Sequence, residues 1–145
     1  MKKYILLFTI ILSLFVFVGC SAENTTKTTD IISESGNIEI MPSIFDFGEI
    51  DRTQGEVSTT VIVENVGEEI LNMNRLSTSC GCTTAEMDMS DLAPGESREM
   101  VVTFDPMTHP DLTGPVIRII YLQTSDSVRP EIEIELTGNV IGKTF

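Results

Sequence analysis

From Ile38 to Val140 the chain is built of short runs in which apolar and polar residues alternate. The clearest is EIEIELTGNV, where Ile132, Ile134 and Leu136 interleave with Glu131, Glu133 and Glu135. Strand residues two apart share a face, so this run predicts a strand with one apolar and one acidic face. IFDFGEI alternates in the same way up to Gly48, and VSTTVIVENVG is rich in β-branched residues and stops at Asn65-Val66-Gly67. NIEIMP ends at Pro42, EILNMNRL runs on towards Cys80, SREMVVTFDP stops at Pro106, and GPVIRIIYLQT follows a loop containing Pro110 and Gly114. Pro94 and Gly95 in APGE stand in the order that suits a type II turn. No window carries an apolar stripe at helical spacing. Seven or eight short strands with no helices between them predict an all-β domain, an immunoglobulin-like antiparallel β-sandwich. Each sheet would turn one face to the core and one to water.

The N-terminus breaks this pattern. Lys2 and Lys3 precede an uncharged run from Tyr4 to Val18, which stops at Gly19-Cys20. That layout is an export signal, residues 1–19. The uncharged run of about 15 is short for a bilayer span, which needs roughly 20 apolar residues. Its end, FVGC, resembles the lipobox of bacterial lipoproteins, with Phe17 where that motif usually has leucine. The resemblance implies that Cys20 becomes the N-terminus and carries lipid, anchoring an exported domain to a bacterial membrane. Acyl chains hold a membrane at about 0.8 kcal/mol per buried methylene. Residues 21–37 contain only Ala22, Ile31 and Ile32 as apolar residues. Such a composition cannot offset its ordering entropy, so residues 20–37 are expected to be a lipidated flexible linker and 38–145 the domain.

Charge narrows the partners. Loss of residues 1–19 leaves 7 basic against 22 acidic residues, a net charge of −15. That surface suits solubility or a cationic partner. It is unsuited to nucleic acid, whose binding depends on Lys and Arg at phosphates. There is no Gly-rich phosphate loop, G-x-S-x-G or H-E-x-x-H, and a lone histidine excludes sites that need two.

The order FDFGEI, VENVGEEILNMNRLSTSCGCTTAE, LAPGESREMVVTFDP and IEIELTGNV resembles the bacterial family DUF1573 over residues 40–141. SCGCT and PGE are its most specific elements. TSD at 124–126 stands where the family often has Thr-Asn before the last hairpin. The resemblance implies a small immunoglobulin-like sandwich, related in shape to ASH and MSP-type domains. It also implies an exported and often lipid-anchored setting, and it brings no established activity.

With Cys20 lipidated, the remaining thiols are Cys80 and Cys82, one residue apart. Export makes a disulfide between them feasible, and that is the leading reading. The objection is geometric, because bridged Cα atoms sit about 5.5–6 Å apart and an extended i, i+2 pair spans somewhat more. A three-residue loop would also add only about 1.5 kcal/mol, so a redox role explains a bridge better than stability does. Three other readings stay open. Two thiolates would select a soft metal such as Cu(I), with Met87 and Met89 as weak extra ligands. Zinc would want four ligands, and the other nitrogen candidate, His109, has nothing in the sequence to place it nearby. The thiols would otherwise be packed and inert, or one would be a nucleophile, with Arg75 the nearest cation in sequence.

Asp105, His109 and Asp111 in DPMTHPDLTG read as a solvated loop rather than a metal loop. No catalytic constellation is present and no cofactor is expected beyond Cu(I). The function expected is a non-enzymatic binding or scaffolding module of the cell envelope, with an envelope protein as partner. The alternative is a redox or Cu(I) site at Cys80 and Cys82.

Overall fold

The computed structural model describes residues 37–143. The export segment, Cys20 and the linker up to Gly36 lie outside the described residues. Eight strands follow in order: β1 (Ile38–Met41), β2 (Ile44–Asp51), β3 (Val57–Asn65), β4 (Met73–Thr78), β5 (Thr83–Glu86), β6 (Ser97–Phe104), β7 (Gly114–Thr124) and β8 (Glu131–Ile141). They form two four-stranded sheets, β1-β3-β6-β5 and β2-β8-β7-β4, packed as a sandwich.

Alternation decides what lies between the sheets. On β8 Ile132, Ile134 and Leu136 are buried while Glu131 and Glu133 are exposed. Val61 and Val63 of β3, Met100 and Val102 of β6, and Ile120 and Leu122 of β7 join them in one cluster. Phe45 and Phe47 close its flank, ring edge to ring face at 4.9 Å. A second, smaller cluster at one end of the sandwich holds Ile50, Cys82, Phe104, Val116 and Val140.

One pairing departs from the antiparallel expectation: β2 runs parallel to β8. The cause is the link before it. Only Pro42 and Ser43 separate β1 from β2. Two residues without a reversing turn carry the chain across to the other sheet while keeping its direction. There Ser43 accepts from Glu135 N–H at 2.9 Å, and β2 lies alongside β8. Every other strand pair is antiparallel.

The TSD departure proves to be structural. Asp126 is 2% exposed, and its carboxylate accepts from Val128 N–H at 2.8 Å and Arg129 N–H at 3.1 Å. It also accepts from Asn37 N–H across 89 residues of sequence. Arg129 in turn donates to the Ile38 carbonyl. Asn37, assigned to the linker by composition, is therefore already bonded to the domain. Burial works most strongly against ionisation of Asp126, yet the three N–H donors and nearby Arg129 together hold its carboxyl below the usual aspartate range.

Two outcomes follow from this. Asp126→Ala leaves three partly buried N–H groups without their acceptor and should cost about 2 kcal/mol in denaturant unfolding. A carboxyl lowered in the folded state contributes stability above the unfolded aspartate range, and the contribution is lost as pH falls through the folded value. Unfolding free energy should therefore decline below about pH 4, and less steeply in Asp126→Asn.

Candidate functional site

Cys80 and Cys82 do not lie in a strand. They occupy the four residues that carry the chain from β4 in one sheet to β5 in the other. Thr83 N–H donates to the Cys80 carbonyl at 3.1 Å, which closes a β-turn over Cys80–Thr83. The Thr78 hydroxyl lies 3.0 Å from the Cys80 carbonyl and 2.9 Å from that of Thr83, so it spans the turn from the preceding strand. Ser79 N–H donates to the Ile119 carbonyl, and Ile119 N–H donates to the Ser79 hydroxyl, which ties the same segment to β7.

The turn removes the geometric objection to a bridge. It draws the Cα atoms to 5.2 Å, inside the range disulfides use, and the sulfurs lie at bonding distance, 2.12 Å. The two sulfurs have unequal surroundings. Cys82 is 2% exposed and packs in the smaller core cluster, whereas Cys80 is only half-buried at its edge.

Two nitrogen-bearing side chains meet the pair, and sequence proximity indicated neither. His109 Nε2 lies 3.5 Å from Cys80 Sγ, in contrast to the expectation that nothing brings it near. The β6–β7 loop carries it there. Asp105 caps the short 3-10 turn Pro106–Thr108 by accepting from Met107 N–H at 2.7 Å, and His109 follows directly. The loop is held from below by Arg52, which is fully buried. Its guanidinium donates to the carbonyls of Leu112 at 3.1 Å and His109 at 3.2 Å.

The second is Arg118, and it is this cation, not Arg75, that lies at the pair. Arg75 pairs with Gln123 on the outer side of its sheet and is exposed. Arg118 shares the inward file of β7 with Val116, Ile120 and Leu122. Its Nε–H donates to Cys82 Sγ at 3.0 Å, and its guanidinium lies over the Phe104 ring, 5.6 Å from the centroid. Period-two reading of VIRIIYL puts this charge among inward residues, which is the sequence signal that marks it.

The remaining candidates separate from the pair. Met87 and Met89 pack against the larger cluster rather than the one that holds Cys82. The Asp105 carboxylate is engaged within its own turn, with Met107 N–H and the Thr108 hydroxyl. Among the described residues, the one cluster of candidate metal donors is Cys80, Cys82 and His109, with ligand atoms within 4.8 Å of one another. Thiolates, not bridged sulfurs, are the ligand form, so a soft metal would require the pair to be reduced.

If Arg52 sets the loop, Arg52→Leu should speed amide exchange at Leu112 by about tenfold or more while the strand amides of β7 and β8 keep their protection. Exchange followed residue by residue checks this.

A family match covers residues 38–140, and the family is described as a protein of unknown function, DUF1573. No curated protein matches the chain in sequence. Among solved structures it is similar to a protein of unknown function from Porphyromonas gingivalis W83, at 22% identity and a TM-score of 0.64, over 72% of this chain and 46% of that one. It is also similar to the VesB protease of Vibrio cholerae, at 14% identity and a TM-score of 0.56, over 73% of this chain and 32% of that one. The ASH or PapD-like domain of human CEP192 matches at 13% identity and a TM-score of 0.56, over 74% of this chain and 87% of that chain. At these identities the likeness is one of fold. The chain spans less than half the length of the first two proteins.

Proposed function

We propose, for a chain that belongs to the DUF1573 family, that it is a cell-envelope lipoprotein and a non-enzymatic binding module. The lipid sits on Cys20, residues 20–36 form a tether, and the sandwich meets an envelope protein. The export layout and FVGC support the anchor, and the sandwich fold supports a module that presents a surface. Fold alone is a weak warrant for function, so the binding face has to come from the residues.

The observation that carries the reading is the outer face of the β2-β8-β7-β4 sheet. There β7 presents Ile117, Ile119 and Tyr121 in file, with Ile117 59% exposed. Directly across on β8 stand Thr137, Glu135 and Glu133. Ile44 of the edge strand, 51% exposed, continues the apolar surface beyond Glu135. An apolar file beside a file of glutamates is complementary to a segment that alternates cationic and apolar residues. The net charge of −15 left once residues 1–19 are removed favours the approach of such a partner.

The full-length chain should bind a peptide of alternating lysine and valine, with affinity falling as salt rises. Glu133→Lys with Glu135→Lys, and separately Ile117→Asp, should each weaken binding about tenfold or more in titration calorimetry. Binding that is absent, or equal in all three proteins, would overturn the reading.

A further inference from the structure

We propose that the Cys80–Cys82 bridge is a thiol–disulfide exchange site, with Cys80 as the sulfur attacked, Cys82 as the leaving sulfur, and Arg118 as the group that receives the leaving charge. The substrate class is a thiol, and a dithiol for a complete transfer.

The asymmetry of the pair carries the assignment. An incoming thiolate must reach a sulfur. Cys80 is half-buried at the rim, while Cys82 is sealed in the cluster of Ile50, Phe104, Val116 and Val140. The sulfur that is harder to reach is the one with the cation, since Arg118 Nε–H points at Cys82 Sγ from 3.0 Å. A bridged sulfur is a weak acceptor, whereas a thiolate is a strong one for a guanidinium. The same contact therefore gains most at the moment Cys82 carries negative charge. Arg118 reaches this place by standing on the inward file of its strand, half-buried, with its guanidinium over Phe104.

The substrate thiolate attacks Cys80 Sγ, the Cys80–Cys82 bond breaks, and a substrate–Cys80 disulfide forms. Cys82 leaves as the thiolate beside Arg118. A second thiolate on the same substrate then attacks its own bridged sulfur and releases Cys80 as a thiolate. The substrate ends as a disulfide, the pair ends reduced, and two electrons have passed to the protein. His109 Nε2, 3.5 Å from Cys80 Sγ, stands where that second leaving sulfur develops charge. The turn is held by Thr78, Ser79 and Thr83 through bonds that do not involve the bridge, so its opening does not dismantle the crossover.

The test uses the oxidised full-length chain and glutathione as the probe thiol. Samples are alkylated with iodoacetamide at early times and mapped by fragmentation between Cys80 and Cys82. Glutathione should sit on Cys80 and the alkyl group on Cys82. Glutathione on Cys82, or equally on both, would overturn the assignment. Arg118→Gln should slow bridge opening about tenfold, as loss of one charge-assisted hydrogen bond to the leaving sulfur implies. Arg118→Lys, which keeps a cation, should recover at least part of the rate. An Arg118→Gln rate equal to the parent, or Arg118→Lys as slow as Arg118→Gln, would overturn the role of Arg118. Thermal melting of each oxidised variant separates a folding defect from a slowed exchange. Should Arg118→Gln fail to fold, the adduct position and the Arg118→Lys rate against the parent decide the question.

Discussion

Water is excluded from this domain by alternate residues on two facing sheets, and almost every other feature follows from that constraint. Val61, Val63, Met100, Val102, Ile120, Leu122, Ile134 and Leu136 lie almost wholly out of water between the layers. Each buried position commits its neighbours in sequence to the outside. The acidic file on β8 and the Ile117, Ile119 and Tyr121 file on β7 are thus consequences of the same period that builds the core. The constraint also explains why Arg118 is informative. A half-buried charge on the inward file gives up part of its hydration, and Arg118 replaces it with a sulfur and the Ile117 carbonyl at 2.7 Å.

Changing sheets is where such a fold spends its polar side chains. At each crossing, backbone groups leave the ladder and need other partners. Asp126 does the same work at a hairpin within one sheet, taking three N–H groups where the β7–β8 turn meets the start of the domain. Asn65, fully buried, donates to the carbonyls of Glu69 and Leu92 at 2.8 Å each, where β3 turns towards the Leu71–Leu92 bridge. Arg52 satisfies two carbonyls of the β6–β7 loop. The Cys80–Thr83 turn belongs to this series, with Thr78 in the corresponding role. The sulfur pair is therefore presented by a rigid crossing rather than by a free loop, and the loop that brings His109 to it is fixed from beneath.

The fold was legible because its signals are local. β3 and β7 coincide with VSTTVIVEN and GPVIRIIYLQT, and Gly95 takes the positive φ of 73° that the Pro94-Gly95 turn requires. The parallel β2–β8 pairing was not legible as an antiparallel reading, because direction across a two-residue link is a matter of the whole sandwich. The site was legible only in part. Cys80 and Cys82 are separated only by Gly81, so they were found. Their partners come from 29 and 36 residues away, and no periodicity of the cysteine segment contains them. Reading the pair as extended raised a distance objection that the turn removes. Arg118 alone had a visible mark, its parity with Val116 and Ile120, because a strand rarely spends an inward position on a cation without a use for it.

Stability does not account for the bridge. A loop this short restrains the unfolded chain by only about 1.5 kcal/mol. The turn has its own hydrogen bonds, so the folded state does not depend on the sulfurs to close it. What the bridge does set is the charge that Arg118 faces. While the sulfurs are joined, the guanidinium is offered a neutral, weakly accepting atom beside an aromatic ring. When they part, it faces an anion, and on the Cys82 side, which is shielded from water, such a contact is strengthened. The surroundings of Cys82 are thus better matched to the thiolate than to the disulfide, while the fold around them is compatible with both. A site whose environment favours one oxidation state and whose backbone tolerates either is built for exchange rather than for reinforcement.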